Sequence, residues 1–143
     1  MKIIGYTDGL VAASSCEQSN IGVTSWTPIT SLPIALHLLA MVTLLGKAYV
    51  IGGTYDNTNA QTSVSMYDGV SVWVAKAPLS PGRYAHAALA LDDDRALLCG
   101  GETPTVVNTC VIYTASTNTW TTALAMTQVR GAFNLVMSEG MWY

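Results

Sequence analysis

Gly46-Lys47-Ala48-Tyr49-Val50-Ile51-Gly52-Gly53 and Arg95-Ala96-Leu97-Leu98-Cys99-Gly100-Gly101 are two versions of one phrase, an apolar run closed by paired glycines. The residues downstream of each phrase are shared as well. The first is succeeded by Met66-Tyr67-Asp68, Trp73, Ala77-Pro78-Leu79 and Arg83. The second is succeeded by Ile112-Tyr113, Trp120, Leu124-Ala125-Met126 and Arg130. Trp26, Trp73 and Trp120 stand 47 residues apart, as do Arg83 and Arg130, while the glycine pairs are 48 apart and the tyrosines 46. Four residue types that keep one period and one order mark an internal repeat, and loops absorb slips of a residue.

Each period contains four short segments rich in Val, Thr, Leu and Tyr and bounded by turn residues. The first full period predicts strands over 38–44, 47–51, 62–67 and 70–75, and the second over 85–91, 96–99, 108–113 and 119–122. Leu45-Gly46, Asp68-Gly69, Asp92-Asp93-Asp94 and Ser116-Thr117-Asn118 supply the hairpin tips. The nearly unbroken apolar runs at 38–45 and 85–91 suit strands buried on both sides. A helix over 36–45 is opposed by the two-residue tip and the strand after it. Four-stranded meanders that recur about every 50 residues are the blades of a propeller.

A strand ending in Gly-Gly, a Tyr, a Trp six or seven residues later and an Arg opening the next unit resemble the kelch repeat. The resemblance implies an all-β, partial kelch-type β-propeller with four-stranded antiparallel blades. Its repeats fall at 1–30 (degenerate), 31–78, 79–125 and 126–143 (truncated). The ends fit the same ruler: Ile3-Ile4-Gly5-Tyr6 takes the place of Val50-Ile51-Gly52-Gly53, and Gly140-Met141-Trp142-Tyr143 that of Gly46-Lys47-Ala48-Tyr49. The first repeat departs from the pattern. It has Ser19 or Asn20 in place of the Tyr, Leu36 in place of the Arg and Gly5-Tyr6 in place of Gly-Gly. Two complete blades, three strands of another and a lone first strand at 131–137 are expected. Propellers usually have four to eight blades. Open faces are therefore expected to invite self-association, either as a piece of a longer protein or as two chains completing a six-bladed ring. In the ring, the lone strand would pair with the partner's 1–5 edge.

Composition limits the function. Half of the 143 residues are hydrophobic, 10% are charged and the net charge is -3, so a buried core is expected and no basic patch exists for nucleic acid. The apolar stretch 34–51 is interrupted by His37, Gly46 and Lys47, and Asp8 interrupts any leader-like start. Neither a membrane span nor a signal peptide is therefore read, and the compartment stays open.

Cys16, Cys99 and Cys110 form an odd set with no C-x-x-C spacing, which argues against a disulfide framework or a zinc site. Cys99 and Cys110 fall near the ends of adjacent strands, where close approach would permit a disulfide, but buried free thiols are expected. His37 and His86 lie out of register with each other and are expected to be structural; Asp92-Asp93-Asp94 is expected to be a solvated turn.

No catalytic motif occurs, and no cofactor or metal is expected. The kelch resemblance implies a scaffold that binds a protein or peptide rather than an enzyme. The arginine opening the first strand and the residues after Gly-Gly would face one rim. Arg83, Arg130, Thr54, Tyr55, Asp56 and Glu102 are thus candidate partner contacts, in a reading where arginine grips carboxylates. The competing reading is that both arginines brace neighbouring loops. Loop 54–61 is polar, which suits recognition. The alternative function is a fragment of a larger kelch-containing enzyme or ectodomain, similar to galactose oxidase, with catalytic residues outside this chain.

Overall fold

The computed structural model describes residues 2–3, 6–7, 11–20, 22, 24–139 and 141–142. Among them every regular element is a β-strand, and no helix occurs. In chain order these are β1 (Lys2–Ile3), β2 (Tyr6–Thr7), β3 (Val11–Ala12), β4 (Cys16–Gln18), β5 (Thr27–Ile29), β6 (Ala40–Leu44), β7 (Lys47–Ile51) and β8 (Val64–Tyr67). Then come β9 (Trp73–Ala75), β10 (Ala87–Ala90), β11 (Arg95–Cys99), β12 (Cys110–Thr114), β13 (Thr119–Ala123), β14 (Met137–Ser138) and β15 (Met141–Trp142). Two antiparallel four-stranded sheets, β6-β7-β8-β9 and β10-β11-β12-β13, form the centre. A three-stranded sheet β1-β4-β5 precedes them, and β2-β3 and β14-β15 are separate hairpins. All eight strands expected in the two full periods form, each shortened or shifted by at most a few residues.

The sheets stack through alternating faces. On β7, Tyr49 and Ile51 face the second sheet and join Val42, Leu44 and Val64 against Ala96, Leu98 and Tyr113. Val50 between them faces the other way and packs with Tyr67, Trp73, Cys16 and Leu32 toward the three-stranded sheet. A strand buried on both sides cannot alternate apolar with polar, which accounts for the unbroken apolar runs.

The repeat is visible in contacts as well as in residue types. Trp73 Nε1 donates to the carbonyl of Thr30 at 2.8 Å, and Trp120 Nε1 donates to that of Ala77 at 3.0 Å. Donors and acceptors both advance by 47. Each indole also packs on the tyrosine of its own sheet, Tyr67–Trp73 at 5.2 Å and Tyr113–Trp120 at 4.8 Å between centroids. Backbone bonds stitch the units at the same interval, with a slip of one residue at the glycines: Gly53 N to Arg83 O and Gly101 N to Arg130 O, then Ala85 N to Leu38 O and Ala132 N to Ala85 O. Leu38, Ala85 and Ala132 all have positive φ, at 51°, 53° and 53°. These non-glycine residues hold a left-handed conformation at the places where that last ladder runs.

The glycine pair is explained by close approach. A Cβ on Gly101 would lie 2.6 Å from the Tyr84 carbonyl oxygen and 2.7 Å from His86 Cβ, and one on Gly53 would meet the His37 oxygen at 2.8 Å and Leu39 Cβ at 3.0 Å. On Gly100 it would strike the Arg130 oxygen and the Phe133 ring; on Gly52, the Arg83 oxygen and the His86 ring. The first glycine of each pair therefore receives a ring from the next unit, and the second receives the backbone of the strand entry beside it.

Two expectations need correction. Cys99 and Cys110 are disulfide-bonded, not free, and only Cys16 is a free thiol. The pair lies directly opposite in the β11–β12 register with Cα atoms 4.2 Å apart, the close approach of antiparallel partners. The lone strand expected at 131–137 does not form. Only Met137–Ser138 is extended, paired with Met141–Trp142 around a tip where Glu139 has φ 53°, like Leu45 at 49°. Among the described residues, no second strand lies alongside 131–136 to supply a ladder. Ile4, Gly5, Gly140 and Tyr143, which mark the register of the chain ends, lie outside the described residues.

Candidate functional site

The connections β7–β8 and β11–β12 lie on the same edge of the two sheets as the segments entering β6 and β10. Each is pinned by a matched bridge: His37 pairs with Thr54, and Tyr84 with Glu102. Second bridges, Thr54 to Ala60 and Glu102 to Val106, close both loops. The six residues picked from the sequence divide here by depth.

Arg83 and Thr54 are internal. Arg83 is 1% exposed. Its guanidinium donates to the carbonyls of Gly100 and Thr109, both at 3.0 Å, and to Thr109 Oγ1 at 3.3 Å. It thus clamps the end of β11 to the approach to β12, the bracing role, and burial lowers its pKa. Thr54 is fully buried, and its hydroxyl donates to Asp56 Oδ1 at 3.2 Å.

Tyr55, Asp56 and Glu102 form the outer layer. Tyr55 is half exposed. The Asp56 carboxylate organises loop 54–61, accepting from the backbone N–H groups of Thr58 and Asn59 at 3.0 and 2.8 Å. Those bonds, led by Asn59, hold its carboxyl well below the usual carboxylate range and keep it anionic. Glu102 Oε2 accepts from Tyr84 Oη at 2.7 Å, and that bond, with burial and the charges of Glu102 and Asp56, raises the phenol pKa. Asp56 and Glu102 therefore act on one phenol from two repeats. Arg130 is separate. Its side chain is exposed and lines an open cavity of about 550 Å³ on the far face of the second sheet, with Leu91, Leu97 and Ile112.

Sequence reasoning passed over the surroundings of His86, which stayed a structural histidine. Three successive strand entries, 39–41, 86–88 and 133–135, line a cavity of about 210 Å³, each displaced by 47 from the last. His86 lies in it, 5% exposed, and neither ring nitrogen has a well-formed hydrogen bond. The nearby carbonyls of Ile51 and Arg83 favour its protonation only weakly, and desolvation followed by the Arg83 charge pulls the imidazole pKa down to about 3. The neutral ring is thus built into the fold. Stability from this source is complete above the unfolded value of 6.5 and is lost as pH falls toward 3. Between neutral pH and about pH 4.5, wild type is expected to lose about 2.5 kcal/mol on this account. His86→Phe, which imports the residue standing at the matching position, Phe133, is expected to remove that loss. Urea unfolding of both proteins at the two pH values checks it; equal acid sensitivity would show that His86 is not responsible.

Among the described residues, no three His, Cys, Asp or Glu side chains are placed to hold a metal ion, and no helix is long and apolar enough to cross a membrane. No family model matches the chain, and no curated protein matches it.

Proposed function

We propose that this chain is a kelch-like β-propeller scaffold that binds a protein segment along the rim formed by loops 54–61 and 102–107. The observation that carries the propeller reading is the 47-residue recurrence of inter-sheet hydrogen bonds, Trp73 to Thr30 and Trp120 to Ala77. A repeat that stacks sheet on sheet in one register builds a rigid support and presents one loop per unit on the same edge. Function is then carried by what the loops display.

The rim displays an exposed phenol and two carboxylates rather than guanidinium groups, because Arg83 is internal. Tyrosine offers flat amphipathic area, and fixed carboxylates select cationic donors. The segment that suits it carries Lys or Arg beside an aromatic residue. A peptide display library screened against the purified chain tests this. Selection is expected to enrich basic-aromatic segments, and Tyr55→Ala combined with Glu102→Gln is expected to weaken capture about tenfold or more at unchanged thermal stability. Glutamine keeps an acceptor for Tyr84, so the loop survives the change. Capture that the double variant leaves untouched would place recognition elsewhere.

A further inference from the structure

The roots of the two rim loops are closed by different chemistry. In the first unit, Ile51 pairs with Val64 across the base of the β7–β8 loop, and both are buried. In the second, Cys99 pairs with Cys110 across the base of the β11–β12 loop, and the pair is a disulfide. The next rung outward is common to both: Gly52 N donates to Ser63 O at 2.8 Å, and Gly100 N donates to Thr109 O at 3.1 Å. An apolar pair thus keeps in the first unit the ladder that a covalent bond crosses in the second. The sheet does not need the bond to hold its register.

Beyond the roots the loops differ again. Loop 54–61 is tied internally. Its Asp56 carboxylate accepts from the N–H groups of Thr58 and Asn59, Asn57 Oδ1 meets His37 Nε2 at 2.9 Å, and Gln61 Nε2 donates to Asn59 O at 2.9 Å. Among the described residues, loop 102–107 has one side-chain hydrogen bond, from Tyr84 Oη to Glu102 Oε2. Apart from its backbone bonds it is held at its root, by the disulfide and by Arg83 on Gly100 O and Thr109 O. In the first unit Leu36 takes the place of Arg83 and brings no donor for such a clamp.

From this contrast we infer that the Cys99–Cys110 bond is a redox latch on the second rim loop: a dithiol reductant loosens 102–107, and the Glu102 carboxylate with it, while both four-stranded sheets stay folded. The step is thiol–disulfide exchange. One thiolate of the reductant attacks a cysteine sulfur and forms a mixed disulfide, and the other cysteine leaves as a thiolate and takes up a proton. The second thiol of the reductant then displaces the remaining cysteine and closes a cyclic disulfide. Two electrons and two protons pass to Cys99 and Cys110. While intact, the bond ties residues 11 apart and removes open conformations from the loop's reach, which favours the closed one. Once it is cut, Arg83 and the backbone ladder hold the root alone. The inference concerns the motion of the loop and is independent of what the rim binds.

Amide hydrogen exchange of the whole chain, followed by NMR with and without dithiothreitol, reads the result. Alkylation after denaturation reports the redox state: Cys16 alone is modified in the oxidised chain, and Cys99 and Cys110 as well in the reduced one. The N–H groups of Glu102 and Val107 donate to Tyr84 O and Gly101 O, and reduction is expected to speed their exchange about tenfold or more. Gly53 and Thr54, in the first loop, are expected to stay within about twofold, and the indoles of Trp73 and Trp120 to remain protected. Cys99→Ile/Cys110→Val, which imports the pair of the first unit, is expected to exchange faster than the oxidised chain at Glu102 and Val107 and to ignore dithiothreitol. Should that variant not fold, the reduced wild type carries the test. A bond that dithiothreitol leaves intact in the folded chain, loop exchange unchanged once both thiols are free, a folded variant as protected as the oxidised chain, or loss of indole protection on reduction would each overturn the inference.

Discussion

Gly101→Ala is expected to destabilise the chain by about 4 kcal/mol or more, enough to leave little folded protein at room temperature. Two costs add. At φ 88° an L side chain is strained, and its Cβ would lie 2.6 Å from the Tyr84 oxygen and 2.7 Å from His86 Cβ. Neither neighbour can withdraw freely, because Tyr84 and Glu102 exchange both backbone hydrogen bonds, at 3.2 and 2.9 Å. Gly46→Ala separates the two costs. It has φ 70° but nothing within 4 Å of the added carbon, so strain alone remains, about 1 kcal/mol. Urea denaturation of both variants measures the difference. Similar small losses would mean that the strand entries do not pack against the glycine pair.

Arg83→Ala is expected to cost about 3 kcal/mol, whereas Arg130→Ala is expected to change folding stability by less than about 0.5 kcal/mol. The two residues hold the same place in successive repeats and differ in surroundings. Arg83 fills a closed space, and its guanidinium makes three hydrogen bonds to Gly100 and Thr109. Truncation removes those donors and leaves a cavity. Arg130 has solvent around it. Thermal or chemical unfolding of the two single variants is sufficient. If they proved equally mild, Arg83 would not be the buried clamp.

Strand positions were legible because the repeat states them twice, and an apolar run ending in Gly-Gly has few alternative readings. The glycines could be read from sequence as sites of close approach, though what approaches them could not. The turns at Leu38, Ala85 and Ala132 gave no signal, since neither Leu nor Ala marks a positive φ and the conformation is held by hydrogen bonds from a unit 47 residues away. The Cys99–Cys110 bond was allowed by the sequence but not favoured: an odd cysteine count argues against a framework, and only the strand register puts these two directly opposite each other. Arg83 and Arg130 hold the same place in the repeat. Their different depths depend on whether another sheet lies beyond, which no local pattern encodes. Of the candidate rim, Tyr55, Asp56 and Glu102 are displayed, while Arg83 and Thr54 are internal.

The stacking of equivalent sheets in one register is best tested at the two indoles. Proton NMR of the isotope-labelled chain can assign the side-chain N–H of Trp73 and Trp120 and read the through-space contacts of each. The expected result is that both exchange slowly with solvent, with Trp73 showing contacts to Thr30 and Trp120 to Ala77, each in the unit before its own. Indole protons that exchange fast, or whose contacts stay within their own sheet, would contradict the account.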